Sequence, residues 1–241
     1  DAYKELLAAG CNSVSFGNEM KAYSLLNQGA SQRSEDGMPV MNYSTADRMV
    51  QLAKEQGVKI RGHVLVWDAY MSEWFFREGY RNDGALVDRE TMLKRLESYI
   101  DQVMTHFEEK YPGVVYCWDV VNEAVSDQGK KYRTDAENAG EPLSQATHGS
   151  NSSWWHVYQS NEYIINAFRF ANKYAPADLE LYYNDYNEFN MPKKNGIIQL
   201  INDVKAAEGT RIDGFGMQGH YGLNSPDANL LTGYIIEYAK A

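Results

Sequence analysis

The sequence predicts an α/β protein built on a parallel sheet. Apolar runs alternate along the chain with segments of helical periodicity, as in repeated strand–helix units. The runs are continuously apolar, which is typical of strands that are covered on both faces. This alternation fits a doubly wound sheet or a (β/α)8 barrel, and the absence of G-x-G-x-x-G after a strand disfavours the nucleotide-binding doubly wound type. The five predicted strands are Ser13–Phe16, Ile60–Trp67, Val114–Val121, Leu179–Tyr183 and Ile212–Met217.

The first two predicted helices have clear start signals. Ser44 begins one, with Asp47 three positions later at the spacing of a capping box. Asp88 caps a longer helix, which Pro112 and Gly113 stop. An apolar stripe at helical spacing runs along this longer helix and consists of Met92, Leu96, Tyr99, Ile100, Val103 and Phe107.

Three more helices are predicted in the second half of the chain. One spans Trp155–Tyr174, one opens at Pro192 and closes at Gly209, and one spans Leu230–Tyr238. Two long polar stretches are interpreted as elaborated loops, namely Asn27–Asn42 and Ser126–Ser153.

Composition and charge limit the class of function. Residues 1–241 suffice for one sizeable core, and we interpret them as a single domain. The net charge of −10 argues against nucleic acid or an anionic membrane as a partner. No run approaches a membrane span, and no signal-peptide pattern is present. The two cysteines, Cys11 and Cys117, form no disulfide framework or metal set, so we expect neither a metal nor a cofactor.

Polar side chains follow or end every predicted strand. Because the carboxyl ends of parallel strands meet at one rim, we expect these side chains to form a site there. Amides, imidazoles, aromatic rings and a carboxylate suit the hydroxyls, ring faces and glycosidic oxygen of a carbohydrate. No H-E-x-x-H, G-x-S-x-G or phosphate-binding loop offers another chemistry. The rim residues are Asn18, Lys21, His63, Trp67, Asp68, Asn122, Glu123, Asn184, Tyr186, Gln218 and His220.

Five segments together resemble the signatures of glycoside hydrolase family 10, the endo-β-1,4-xylanases. They are N-E-M-K at 18–21, G-H-V-L-V-W at 62–67, W-D-V-V-N-E-A at 118–124, N-D-Y-N at 184–187 and G-F-G-M-Q-G-H at 214–220. The resemblance implies a (β/α)8 TIM barrel, of which this chain carries strands two to six. It also implies retaining endo-hydrolysis of xylan by a protein that is secreted or at the cell surface.

The same resemblance implies a role for each rim residue. Glu123 matches the general acid/base. Asn122 matches the amide that binds the sugar 2-hydroxyl at the cleavage subsite. The other matches are Asn18 and Lys21 for the glycone xylose units, His63 and Trp67 for the floor of the cleavage subsite, Asn184 and Tyr186 for the cleft near the acid, and Gln218 and His220 for the surroundings of the nucleophile.

The chain departs from the family pattern at two positions. Gly17 stands where the family has Glu, which removes a direct sugar contact. Asp68 stands where the family has His, and we expect its carboxylate still to accept a hydrogen bond from a sugar hydroxyl.

The family's first strand and its last two strands are absent, and we expect the nucleophilic Glu beyond Ala241. Glu237 cannot replace it, because it lies within a helical pattern. We therefore expect an incomplete catalytic domain whose missing strands come from a companion segment or chain. Two alternatives remain open: a non-hydrolytic xylan-binding protein of the same fold, and a β-1,4-glucanase or exo-xylosidase.

Overall fold

Five parallel strands form one sheet, in the order in which they occur along the chain. The structure is a computed structural model that describes residues 5, 9–127, 132–133 and 153–241. Each strand pairs in parallel with the next. The strands are β1 (Ser13–Val14), β2 (Lys59–Trp67), β3 (Val115–Asn122), β4 (Glu180–Asp185) and β5 (Gly214–Met217).

The strand order decides between the two architectures that the sequence admits. A doubly wound sheet reverses its strand order at a switch point, whereas a barrel keeps consecutive strands adjacent. Here the order runs from β1 to β5 without reversal, so the sheet is part of a (β/α)8 barrel. All five predicted strands are confirmed, although β1 ends at Val14 rather than at Phe16.

The predicted long helix is confirmed together with its cap. It spans Arg89–Lys110, and the Asp88 carboxylate accepts a hydrogen bond from the backbone N–H of Thr91 at 2.7 Å. Every residue of its predicted apolar stripe is buried, and it packs against the Glu162–Tyr174 helix. The other helices are Ala22–Leu25, Gln28–Ser31, Ser44–Glu55, Ser153–Tyr158, Met191–Ala206 and Ala228–Lys240, with 3-10 turns at Glu73–Phe76 and Glu78–Tyr80.

The predicted capping box at Ser44 is wrong. The helix does begin at Ser44, but Tyr43 is its cap and makes no side-chain capping bond. Asn42 Oδ1 accepts from the Ser44 N–H instead, at 3.1 Å. The Asp47 carboxylate turns to the neighbouring helix, where it meets His106 Nε2 at 2.7 Å and Lys110 Nζ at 2.6 Å. A cation and an imidazole from tertiary packing therefore outcompete the local bond.

The single helix predicted over Trp155–Tyr174 is also wrong, because the structure has two. The first ends at Tyr158 and the second begins at Glu162. Gln159 takes a left-handed conformation with φ of 49°, and its side-chain amide donates to the carbonyls of Trp155 and His156. A polar side chain thus closes the first helix, a local alternative that periodicity does not reveal.

The polar stretches differ in how much of them the structure describes. Asn27–Asn42 contains the short Gln28–Ser31 helix. Most of Ser126–Ser153 lies outside the described residues. Among the helices that the structure describes, none is long and apolar enough to cross a membrane.

The close approach of β2 to β3 depends on a glycine. Gly62 stands opposite Trp118 in the parallel register. A Cβ atom added at Gly62 would lie 2.5 Å from the Trp118 ring. Trp118 is almost completely buried and its ring packs against Phe107 of the long helix, so an added Cβ atom would crowd a packed core.

We expect Gly62→Ala to destabilise the protein by about 1–3 kcal/mol, the usual cost of overpacking a filled core. Urea unfolding of the full-length protein measures this. Gly233→Ala is the matched control, because Gly233 lies in a helix with nothing within 4 Å of the added Cβ. That change should be neutral or stabilising. Equal stability of the Gly62→Ala variant and the unmutated protein would contradict the packing described here.

Candidate active site

Glu123 occupies the first position after β3 and is almost completely buried, with 3% of its surface exposed. Its carboxylate accepts two hydrogen bonds, from Trp67 Nε1 at 3.2 Å and from Gln218 Nε2 at 2.7 Å. Its backbone is left-handed, with φ of 55°, and its N–H donates to the Asn184 carbonyl at 2.9 Å. A non-glycine residue in this conformation is strained, and such strain concentrates at functional sites.

The strand register explains why these side chains meet. Trp67, Asn122, Asn184 and Gly216 are successive partners across β2, β3, β4 and β5. They stand at one level near the carboxyl ends of the strands, and Gln218 follows immediately after β5. Residues that lie far apart in sequence are therefore brought to one rim by the parallel pairing.

An amide network lies beside Glu123. Asn122 Oδ1 accepts from Asn184 Nδ2 at 2.7 Å and from Gln218 Nε2 at 3.4 Å. His220 Nε2 contacts Gln218 Oε1 at 2.9 Å. Asn122 Nδ2 is buried, and within the described part of the chain it has no hydrogen-bond partner. A buried N–H donor of this kind calls for an acceptor, such as a sugar hydroxyl.

Arg61 and Asp119 also belong to the site, although neither is among the rim residues selected from the sequence. Arg61 Nε and Nη2 reach Asp119 Oδ1 at 3.0 and 2.6 Å, and Arg61 Nη2 donates to Asn184 Oδ1 at 2.9 Å. His63 Nδ1 meets Asp119 Oδ2 at 2.8 Å. One sequence signal was available, since Arg61 and His63 are two apart on a strand and share a face.

Lys21 connects the predicted glycone residues to the site. Its Nζ lies 3.4 Å from Asn18 Oδ1 and 5.1 Å from the centre of the Trp67 ring. The Tyr70 ring, which the sequence analysis did not select, is closer at 4.0 Å. Burial lowers the pKa of Lys21, while the charges of Glu123 and Glu19 oppose this effect.

Asp68 directly follows β2 and is partly buried. Together with Trp67, Asn122, Ala124 and Arg133 it lines a small cavity within the described part of the chain. Its Oδ2 is buried and has no hydrogen-bond partner there. Burial raises the pKa of Asp68 to about 8, with the charge of Glu123 adding to this and that of Arg133 opposing it. The predicted contact of Asp68 with a sugar hydroxyl stays a prediction.

Tyr186 follows β4 and is tied to the site by its hydroxyl. The hydroxyl accepts from Arg133 Nη2 at 2.7 Å and donates to the Asp127 carboxylate. Arg133 in turn contacts the Glu123 carbonyl, so Tyr186 reaches the acid through Arg133. Its predicted contact with sugar stays a prediction.

A cleft runs along the inner side of the rim. Five of the predicted residues line it: His63, Trp67, Asn184, Gln218 and His220, together with Glu123 itself. Arg61, Asp119, Ser15 and Met217 complete the lining. Across the described residues, no group of three or more His, Cys, Asp or Glu could hold a metal ion.

Comparison with known proteins gives a family match. The family model for glycosyl hydrolase family 10 matches residues 1–241. A putative endo-1,4-β-xylanase of Caldicellulosiruptor saccharolyticus is 42% identical over 86% of this chain and 61% of its own length. Endo-1,4-β-xylanase A of Thermotoga maritima is 38% identical over 91% of this chain and 18% of its own length. The chain thus spans about three fifths or less of these two relatives.

Solved structures show the same fold. The N-terminal modules of Clostridium thermocellum endo-1,4-β-D-xylanase 10B, complexed with xylohexaose, superpose with a TM-score of 0.86 at 30% identity. The match covers 99% of this chain and 46% of that one. An intracellular xylanase of Thermoanaerobacterium saccharolyticum, complexed with xylotriose, gives a TM-score of 0.78 at 30% identity, over 98% of this chain and 64% of its own.

We expect Asp68 to make the folded protein less stable as pH rises. The folded state keeps the Asp68 proton up to pH about 8, whereas the unfolded chain releases it near 3.8. The folded state binds more protons between these values, so this contribution to the free energy of unfolding falls with increasing pH. Asp68→Asn should make the decline shallower, because the contribution of Asp68 is removed while that of Asp185, whose pKa burial raises to about 6, is kept. Unfolding of both full-length proteins from pH 4 to 8 measures this.

The control for this experiment is Asp83→Asn, because Asp83 is exposed and a hydrogen bond from Arg81 lowers its pKa. Its effect should be small and opposite in sign. Parallel stability curves for the unmutated protein and Asp68→Asn across this range would contradict the burial of an ionisable Asp68.

Proposed function

The chain belongs to glycosyl hydrolase family 10, and from this premise we propose that the full-length protein hydrolyses internal β-1,4-xylosidic bonds of xylan with retention of configuration. One observation carries the proposal. The buried carboxyl of Glu123 stands at the end of a barrel strand, and its two oxygens are held by Trp67 and Gln218. This is a suitable place for a carboxylic acid that must give and take a proton in a dry cleft.

Glu123 would act twice in each turnover. In the first step its proton passes to the glycosidic oxygen as the bond to the sugar C1 breaks. In the second step the same carboxylate removes a proton from water, and the resulting hydroxide releases the sugar from the enzyme. The hydrogen bonds from Trp67 and Gln218 support the carboxylate form that exists between these steps.

A retaining glycosidase needs a second carboxyl about 5–5.5 Å from the first, which forms the covalent sugar intermediate. We place this nucleophile beyond Ala241, in a segment of the full-length protein. The greater length of the matched relatives supports this placement. Gln218 and His220 stand on the β5 side of Glu123 and would contact the second carboxyl from there.

The remaining site residues would bind the sugar. The buried Asn122 Nδ2 donates to the 2-hydroxyl at the cleavage subsite. His63 and Trp67 form the floor of that subsite. Asn18 and Lys21 hold the glycone units, and the Lys21 ammonium group adds strong hydrogen-bond donors without requiring a charged substrate. A neutral substrate also suits the net charge of −10.

Two further expectations belong to this proposal. Residues 1–241 form a single catalytic domain that is completed by further segments of the full-length protein. The protein acts outside the cell or at its surface, where polymeric xylan is met. The intracellular xylanase of Thermoanaerobacterium saccharolyticum represents the other location, and cell fractionation distinguishes the two.

We expect Glu123→Gln in the full-length protein to lower xylan turnover by about 10²–10⁴-fold, the usual contribution of a general acid/base. Binding of xylo-oligosaccharides should persist, because the amide keeps the shape of the carboxyl. The first step on a dinitrophenyl xyloside should also persist, since that leaving group needs no proton. Steady-state and burst kinetics on both substrates measure these effects.

The control carboxyl is Glu237, which pairs with Lys194 on a helix and is half exposed. Glu237→Gln should leave both activities unchanged. Undiminished xylan hydrolysis by Glu123→Gln would reject the assignment of the acid. Binding of xylan without hydrolysis by the unmutated protein would favour the alternative of a non-hydrolytic xylan-binding protein.

We also expect xylan to be preferred over β-1,4-glucans. A hydroxymethyl group on the sugar would meet crowded side chains around Lys21, His63 and Trp67. Discrimination of this size is worth roughly 1–3 kcal/mol, or about 10–200-fold in kcat/KM. Comparable kcat/KM values on xylan and on cellulose or mixed-linkage glucan would support the β-glucanase alternative, and release of xylose from chain ends alone would support the exo-xylosidase alternative.

A further inference from the structure

The segment that carries Glu123 lies beyond the last paired residue of β3, so the strand ladder does not fix it fully. Hydrogen bonds from side chains and single backbone groups hold this segment instead. The Val125 N–H donates to the Tyr183 hydroxyl at 3.1 Å, and the Val125 carbonyl accepts from Lys193 Nζ at 2.8 Å. The Arg133 N–H donates to the Ala124 carbonyl at 2.9 Å. The backbone around the acid is thus held by groups from distant parts of the chain.

Among these groups, Arg133 also contacts Glu123 itself. Its Nε donates to the Glu123 carbonyl oxygen at 2.6 Å, and the bond is buried. This carbonyl belongs to Glu123, the residue whose backbone adopts the left-handed conformation. A charge-assisted hydrogen bond is roughly twice as strong as a neutral one, so Arg133 can offset the strain of that conformation.

The guanidinium group is itself oriented by two partners. Its Nη2 donates to the Tyr186 hydroxyl at 2.7 Å and lies 3.3 Å from Asp127 Oδ2. Asp127 is in turn fixed by Lys193, whose Nζ lies 2.9 Å from Asp127 Oδ1 and 2.9 Å from Asp185 Oδ1. The two buried cations, Arg133 and Lys193, therefore face the carboxylates of Asp127 and Asp185 close to Glu123.

The charge of Arg133 is secured by its surroundings. Burial works against the charged form, but Asp68, Tyr186, Asp185 and Asp127 together raise the pKa of Arg133 above its usual range. The side chain is only 7% exposed. A permanently charged, buried donor is well suited to fix a neighbouring peptide.

We propose that Arg133 is a positioning residue for Glu123: by binding the Glu123 carbonyl it holds the peptide in the left-handed conformation that directs the carboxyl to Trp67 and Gln218. The inference rests on the proposed function of Glu123 as the general acid/base. Arg133 touches no reacting atom. It acts by setting the direction from which the Glu123 proton reaches the glycosidic oxygen.

The test uses Arg133→Lys and Arg133→Ala in the full-length protein. A lysine keeps the charge but cannot bind the Glu123 carbonyl, Tyr186 and Asp127 with a planar fork. We expect kcat on xylan to fall on the order of 10²-fold, the effect of a small misplacement of a catalytic group, with KM nearly unchanged. The first step on a dinitrophenyl xyloside should fall much less, because it needs no aligned acid.

Guanidinium ion added to Arg133→Ala should restore part of the activity on substrates with poor leaving groups. A merely structural role would produce neither the rescue nor the dependence on the leaving group. Equal losses on both substrates, or unchanged kcat on xylan, would overturn the proposal. Arg81→Lys is the matched control, since Arg81 forms an exposed ion pair with Asp83 and should tolerate the change.

Two further measurements keep the test decisive. If the Arg133 variants do not fold, Asp127→Asn replaces them, because Asp127 orients the guanidinium group. Its kcat on xylan should fall less than that of the Arg133 variants, and the first step on the dinitrophenyl xyloside should again be less affected. Equal losses on both substrates would overturn the proposal. A crystal structure of a folded variant separates this proposal from the proposed function. If the unmutated protein does not cleave xylan, the proposed function fails. The positioning role is still supported in that case if φ of Glu123 in the variant's crystal structure leaves the left-handed region. If the variant keeps the left-handed φ of Glu123 and the hydrogen bonds from Trp67 and Gln218 to its carboxylate, the positioning role is overturned.

Discussion

A carboxylate buried at the end of an apolar strand costs free energy unless hydrogen-bond donors meet it. The structure satisfies this requirement at Glu123 with two N–H donors from different strands. Trp67 comes from the end of β2, and Gln218 follows β5. Because the donors come from elements that are distant in sequence, the site depends on correct parallel pairing across the whole sheet.

The charged groups close to Glu123, namely Lys193, Asp127 and Asp185, also need partners because they are buried or partly buried. Lys193 is completely buried and would be highly unfavourable alone, but it bridges Asp127 and Asp185 and also binds the Val125 carbonyl. Burial raises the pKa of Asp185 to about 6, an effect that Lys193 opposes. Removal of Lys193 would take away the cation that both carboxylates face. Local stability and the geometry of the site are therefore coupled through these groups.

The inner face of the sheet shows how a barrel interior becomes polar near its rim. Asp119 binds both Arg61 and His63 and is itself buried. These residues stand below the level of Trp67 and Asn122 in the same strands. Their hydrogen bonds orient the His63 ring and, through Arg61, the Asn184 amide. The cleft floor is thus positioned by charged groups that themselves come from strand interiors.

The sequence by itself determined the five strands, the long helix with its Asp88 cap, the family, and the cluster of polar residues at the strand ends. These features follow from local hydrophobic period and from segments whose spacing is specific. The tertiary structure alone decided the rest. The pairing of Asp47 with His106 and Lys110, the proximity of Asp68 to Arg133, and the contact between Arg133 and the Glu123 carbonyl all join residues from different elements. Periodicity shows which face of an element a residue occupies, but hydrogen bonds between buried polar groups depend on distances that only the packed chain fixes.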